Sequence, residues 1–316
     1  MYRNLTFFRF DPALNIAGHD SGLAKGLNAN HLKPVGPQEQ CSRGWVPPLG
    51  ADEDMVFAFL GASLHLTLGG EDKILPPSVV EAELSKRLRA IEEREGRKLG
   101  GRARKQLKEY VVAELLPRAL VKPYRLNGYL DLKRGLVVVD TASRAQAEAF
   151  VSEIRHALGS FPALPVNAEV SVRAKLTGWV AEPNAMYVDG GLPDGWVLGD
   201  ECQLQDSAEY GAVVTARHQD LAGDEIAEHL LAGKQVTRLG LVVCPDSRGD
   251  RISFTLGEDL VVRKLKFLDG AMAKLEDTER EDMRAELDAR ATLLVGEVGQ
   301  LFDTLEQAFR LSKVEG

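Results

Sequence analysis

The chain has 316 residues, a formal charge of −8 and a composition of 44% apolar and 27% charged residues, which excludes the disordered and collagenous classes and exceeds the size usual for one compact core. Three cysteines, Cys41, Cys202 and Cys244, lie far apart without a CxxC pair, which fits a reducing cytoplasm and argues against both disulfides and a cysteine-built zinc site. No apolar run reaches the roughly eighteen residues of a membrane span, and the opening MYRNLTFFRFD lacks the apolar stretch of a signal peptide.

That opening alternates as a strand, with Leu5, Phe7 and Arg9 set against Thr6, Phe8 and Phe10. A loop-rich stretch follows, NHLKPVGPQEQCSRGWVPPLG, broken by Pro34, Pro37, Pro47 and Pro48, in which Trp45 is expected as a packed anchor. MVFAFL (55–60) and SLHLTL (63–68) read as two strands joined at Gly61 and Ala62. At Pro76-Pro77-Ser78 the period changes: Val80, Leu84, Leu88 and Ile91 form the apolar stripe of an amphipathic helix. Gly96, Gly100 and Gly101 interrupt it, and a second helix carries Ala103, Leu107, Val111 and Leu115 as far as Pro117. The two make a helical hairpin inserted between β segments.

Strands return as YLDL (129–132) and LVVVD (136–140), and a helix follows that Ser143 can cap. A similar order recurs with strands near 201–205 and 211–218 and a helix over 224–232, although no shared residues mark a repeat. VTRLGLVV (236–243), RISFTL (251–256) and LVVRKLKF (260–267) read as strands, and a long helix runs from about Glu281 to Leu311. Strand clusters with helical insertions indicate an α+β fold with antiparallel sheets, a helical hairpin and a long C-terminal helix, not a doubly wound α/β fold.

Charge is segregated along this chain. RKLGGRARKQLK (97–108) holds six cations, Arg97, Lys98, Arg102, Arg104, Lys105 and Lys108, and no acid. Residues 81–125 carry 13 basic and 7 acidic side chains, whereas residues 189–209 carry six acids and no base. With the stripe taken by Ala103 and Leu107, the charges at 102, 104, 105 and 108 must point outward, to water or to a polyanion. Further cations stand at separate points: Lys73 before the hairpin, Arg118 and Lys122 after it, and Arg217, Lys234 and Arg238 around the 224–232 helix. In RKLKF, Lys264 and Lys266 alternate with Leu265 and Phe267, which places both lysines on one strand face. Aromatic residues are only 6% of the chain, so stacking on unpaired bases is poorly supplied and contact with a duplex backbone is the better expectation.

Catalytic patterns are missing from the sequence. There is no GxxxxGK[ST], no GxGxxG after a strand and no HExxH among the six histidines. Asp131 and Asp140 read as solvent-facing strand ends, PDSRGD (245–250) as a turn, and His218 and His229 as exposed or structural groups. No nucleophile, base and orienting group assemble. The expectation is a binding protein without cofactor or metal.

The same stretches resemble the bacterial recombination-associated protein RdgC family. The likeness is carried by GWVPPLG (44–50), KILP (73–76), LLPRA (115–119), LGSFPALPV (158–166), LTGWV (176–180), QDLAGDEIAEHLLAGKQVTRLGL (219–241), LKF (265–267) and the RED of 280–282. The resemblance implies a homodimer closed into a ring around duplex DNA, without sequence readout or catalysis. It also implies a nucleoid-associated, cytoplasmic role limiting RecA-driven strand exchange. It divides the chain into a central region (1–72 and 123–180), a hairpin tip (73–122) and a base (181–316). Tips meet in that arrangement, with Leu120 a candidate dimer contact; an aromatic is common at its position in the family, and a lysine at that of His218. Two other classes stay open: a scaffold docking an acidic protein through the hairpin, and a metal-dependent nuclease.

Overall fold

The structure is a computed structural model that describes residues 1–14, 16, 22–50, 55–61, 63–183, 190–206, 211–244, 249, 251–276 and 283–313. In chain order its elements are β1 (Thr6–Arg9), α1 (Gly22–Ala29), β2 (Cys41–Val46), β3 (Phe57–Leu60), β4 (Ser63–Ile74), α2 (Pro77–Glu95), α3 (Gly101–Leu115), a 3-10 turn (Leu116–Arg118), β5 (Leu120–Asp131) and β6 (Leu136–Val139). They continue as α4 (Arg144–Leu158), β7 (Leu164–Pro165), α5 (Val172–Ala181), β8 (Trp196–Gln205), β9 (Val213–Arg217), α6 (Asp224–Leu231), β10 (Gln235–Val243), β11 (Ile252–Gly257), β12 (Val262–Phe267), α7 (Asp269–Glu276) and α8 (Met283–Phe309). The chain is α+β, and its strand ladders are antiparallel.

The first sheet has seven strands in the order β2-β4-β5-β6-β1-β7, with β3 also beside β4; the second has five, β12-β11-β10-β8-β9. Both faces of the first sheet are covered, which is why TFFR and LVVV are buried almost throughout. Phe8, Phe10, Val137 and Val139 face a core closed by α1 and α4, where the edge of Trp45 meets Phe150. Leu5, Phe7, Leu136 and Val138 face the opposite core, shared with α5, α8 and the inner face of the second sheet. The layers are therefore helices, sheet, helices, sheet. Backbone bonds between Leu5 and Val262, at 2.8 and 3.0 Å, join the chain start to β12.

The shared helix α8 supplies Leu294, Val298, Leu301, Phe302, Leu305 and Phe309 to that core. Arginines on β1, in the β5–β6 turn and just before β11 clamp it: Arg9 to Glu306 at 2.6 Å, Arg134 to Asp303 at 2.9 Å, and Arg251 to Glu297 in a pair whose side chains are each 7% exposed. A buried pair of that kind is costly to break on one side only, because the remaining charge has no water.

Several elements differ from the sequence reading. β2 lies in the stretch expected as loop: four of its six residues are exposed or half-buried, so no apolar alternation marks it. α1 and α5 are likewise absent from the expected order. β4 and β5 form a twelve-residue ribbon, with register running from Ser63–Asp131 to Ile74–Leu120. Gly69 and Gly70 mask the strand pattern in β4. Pro123 is tolerated in β5 because β6 pairs only with Gly128–Asp131, so the far end of β5 has a free edge for the residue without an N–H. The hairpin of α2 and α3 grows from the end of this ribbon.

Candidate nucleic-acid interface

Pro77 opens α2 at its first turn, and Gly96, at φ 68°, closes it in the left-handed region that a side chain adopts at a cost. The apolar seam between α2 and α3 is thin. Val80, Leu84 and Val111 are buried, while Leu88, Ile91, Ala103 and Leu107 are only half-buried. Ion pairs supplement the seam: Lys108 to Glu81 at 2.6 Å, and Arg87 to Glu83 at 3.0 Å and Glu114 at 2.8 Å. The Arg87 guanidinium also sits 5.6 Å from the Tyr110 ring centroid. The hydrogen bond from Lys108 holds the Glu81 carboxyl below its usual range.

Two of the six cations of residues 97–108 are thereby engaged, Lys108 with Glu81 and Arg97 with Glu95 at 3.4 Å. Lys98, Arg102, Arg104 and Lys105 project into solvent, and none of the four has an ion pair among the described residues. At the root of the hairpin, Lys73 turns back on the chain and donates to the carbonyls of Gly36 and Pro37 at 2.7 and 2.6 Å. Lys122 is exposed opposite Asp72 on the ribbon, and Arg118 is exposed in the 3-10 turn. Leu120 is 75% exposed opposite Ile74, and Val79, Val121 and Tyr110 are exposed as well.

A second group of cations forms on the outer face of the five-stranded sheet. Arg217 on β9 lies opposite Glu201 on β8; Arg238 on β10 lies opposite Gln203. On β12, alternation holds from Lys264 to Lys266 and is broken at Arg263. Lys266 pairs with Ser253 and Arg263 with Thr255, and the register shifts between them. Lys264 occupies this bulge at φ 53°. Lys264 and Lys266 lie on one face around buried Leu265, as the period-two pattern expects, and the bulge brings Arg263 onto that polar side as well.

These residues line one groove system with Thr215, Ser253 and Thr255. On its floor β8 and β10 run close together, and a Cβ on Gly199 would come within 2.9 Å of the Gly240 carbonyl carbon. Lys264 is held to Glu201, Arg263 to Asp259 at 2.5 Å, and His218 Nδ1 to Asp200 at 2.9 Å. Arg217, Arg238 and Lys266 have no ion pair among the described residues. Lys234 stands apart, 3.4 Å from His229 Nδ1. Glu201 and Thr255 belong to this surface without any sign in the sequence, and Arg263 stands in RKLKF at a position that strict alternation would send to the opposite face from Lys264 and Lys266.

The acid pair considered for metal chemistry is structural. Asp131 is buried, contrary to the solvent-facing expectation, and accepts from the backbone N–H groups of Lys133 and Arg134 at 3.0 Å and from the Arg134 side chain. Asp140 accepts from the N–H groups of Arg3 and Asn4 at 2.9 Å, anchoring the chain start. PDSRGD and the RED of 280–282 lie outside the described residues, Gly249 excepted. Among the described residues no three His, Cys, Asp or Glu converge as a metal site, and no helix is long and apolar enough to cross a membrane.

Residues 1–312 match the family model described as "Putative exonuclease, RdgC". Proteins named recombination-associated protein RdgC from Xanthomonas oryzae pv. oryzae (strain MAFF 311018) and Xanthomonas campestris pv. campestris (strain B100) are 52% and 53% identical over 99% of both chains. One from Stenotrophomonas maltophilia (strain R551-3) is 49% identical over the same share. The chain belongs to the RdgC family. The stretches that carry the RdgC likeness sit at positions that organise the fold. GWVPPLG includes the end of β2 with buried Trp45, LLPRA forms the turn from α3 into β5, and QDLAGDEIAEHLLAGKQVTRLGL spans α6 and most of β10. The relatives' shared name links RdgC to recombination, while the family model's description is that of an exonuclease.

Proposed function

We propose that this chain binds duplex DNA without reading its sequence, as a homodimer closed around the duplex, and limits RecA-dependent recombination at the nucleoid. The observation that carries the reading is the gathering of Arg217, Arg238, Arg263, Lys264 and Lys266 on one sheet face of an acidic protein. The solvent-facing cations of the hairpin form a second basic surface. Lysine and arginine at separate points suit a phosphate backbone, which is a line of charges, better than a compact anion. Among the described residues Phe254 is the one Phe, Trp or Tyr lining these grooves and its side chain is buried, so stacking on unpaired bases has little to work with. In this reading residues 73–122 are the tip, residues 181–316 the base, and Leu120 with its exposed apolar neighbours the place where two tips meet.

A gel-shift titration with duplexes of several sequences, with and without magnesium, tests the reading. Equal retention of every sequence without strand loss supports it. Magnesium-dependent shortening of the duplex would instead support the exonuclease of the family description, and no retention would favour a scaffold for an acidic partner protein.

A further inference from the structure

Glu201 is anomalous on its surface. It lies beneath the cations of the β12 bulge, opposite Arg217 in register, and among the described residues it is the one carboxylate that lines the groove of Arg217, Arg238, Arg263 and Lys264. Its side chain is 20% exposed and accepts from the Lys264 ammonium and from the Thr255 hydroxyl, and Thr255 itself is 7% exposed. Burial pushes the Glu201 carboxyl upward, but the hydrogen bonds from Lys264 and Thr255 and the Lys264 charge outweigh it and keep the group ionised below its usual range. The neighbouring groove repeats the theme one residue earlier, where Asp200 holds His218.

Two residues of this rim have strained backbones. Lys264 at φ 53° and His218 at φ 55° are non-glycine residues in the left-handed region, and each of them directs its side chain to one of these two carboxylates. Such outliers persist where the surroundings over-determine them, commonly at binding sites.

A carboxylate and a phosphodiester accept hydrogen bonds from the same donors: a hydroxyl, an ammonium and a guanidinium. We propose that Thr255, Lys264 and Arg217 form a discrete phosphate subsite that Glu201 occupies in the free protein, so that a backbone phosphate binds by displacing an internal carboxylate. This deepens the duplex-binding reading and rests on it for the identity of the ligand. The internal carboxylate makes the groove poor for dilute small anions, yet open to a duplex that contacts Arg238 and Lys266 at the same time.

The test compares wild-type protein with Glu201→Gln, which keeps an acceptor for Thr255 and removes the charge. Duplex binding is followed across a salt series, and inorganic phosphate binding by thermal shift. Glu201→Gln should tighten duplex binding about tenfold, the effect of one additional charge-assisted hydrogen bond to phosphate. The slope of log K against log salt should steepen by about 0.9 for one more phosphate neutralised. It should also acquire stabilisation by millimolar phosphate that the wild type lacks, and Thr255→Val in the same background should reverse part of both effects. Glu201→Asp, whose shorter arm withdraws from Lys264, should move duplex affinity the same way by less and serves if the glutamine variant folds poorly. Unchanged or weaker binding of both ligands by the folded variants would overturn the subsite and leave Glu201 as a support for Lys264. If no protein retains duplex but Glu201→Gln takes up phosphate, the subsite stands and the duplex reading fails.

Discussion

In the hairpin, Arg97, Lys98, Arg102, Arg104, Lys105 and Lys108 are neighbours along the chain. On the second sheet, Arg217, Arg238, Arg263, Lys264 and Lys266 come from three strands, separated by up to 49 positions and joined by strand register. Arg97 and Lys98 stand in the hairpin loop and the other four on α3, over a thin apolar seam, and apart from Arg97 and Lys108 they spread unpaired among the described residues over a wide arc of solvent. The sheet charges are held over a large core, and carboxylates restrain two of the cations that line the grooves, Arg263 and Lys264. Charge density in sequence therefore differs from charge fixed in place by the fold. Long side chains in water gain little from a single partner, whereas fixed donors lose less entropy when a phosphate arrives.

The comparison is broken most severely by loosening the sheet. Glu297→Ala leaves Arg251 buried and unpaired beside β11 and should cost about 3–5 kcal/mol. Chemical denaturation measures this loss, and the midpoint should fall by far more than for any substitution in the hairpin. A normal midpoint would show that the pair is not part of what holds α8 against the sheet.

Acid should also separate the hairpin from the body of the fold, here through β4 of the first sheet. Burial lowers the pKa of His65, stacked on Tyr129 at 5.3 Å, from 6.5 to about 4, while the Asp288 charge pulls weakly the other way. Between those values the unfolded chain binds the proton and the folded chain does not, so stability falls as pH drops from 6.5 toward 4 and levels below that. The full span amounts to about 3 kcal/mol at 1.36 kcal/mol per unit. His65→Phe should keep the ring packing and flatten this slope in denaturation curves taken across that range. The hairpin contains no histidine between Pro77 and Leu115, and substitutions there that spare Glu81, Glu83 and their partners should leave the slope alone.

Duplex affinity gives the most direct comparison. Replacing Lys264 and Lys266 together by Glu should weaken binding to every sequence by a similar factor and lower the salt slope by about 0.9 for each phosphate no longer neutralised. The same exchange at Arg102 and Lys105 should act in the same direction with a smaller change of slope. A double sheet variant with the parent slope would mark the lysines as a solvated strand face. The smallest effect on stability is expected at Leu120: Leu120→Asp, at an exposed position, should shift folding by no more than about 0.5 kcal/mol, yet light scattering should show a weakened dimer if tips meet there. An unchanged dimer would remove Leu120 from the interface.

The amino-acid sequence by itself determined the α+β class, the helical hairpin and its outward cations, the capped helix α4, the long C-terminal helix and the burial of Trp45. Each of these follows from local period, punctuation or residue size, which act within a few turns of chain. Only the tertiary structure decided the rest. Nothing in CSRGWV marks β2, because its partner β4 supplies the pairing that its side chains do not advertise. No local pattern distinguishes Lys73, bound to two carbonyls, from Lys266, which is free among the described residues. Glu201 entered the site because β8, β9, β11 and β12 bring Arg217, Thr255 and Lys264 to it, and the bulge at Lys264 added Arg263 to the face that alternation gives Lys264 and Lys266. Register and bulges are set by long-range pairing and core packing, and a one-residue shift sends a side chain to the other face.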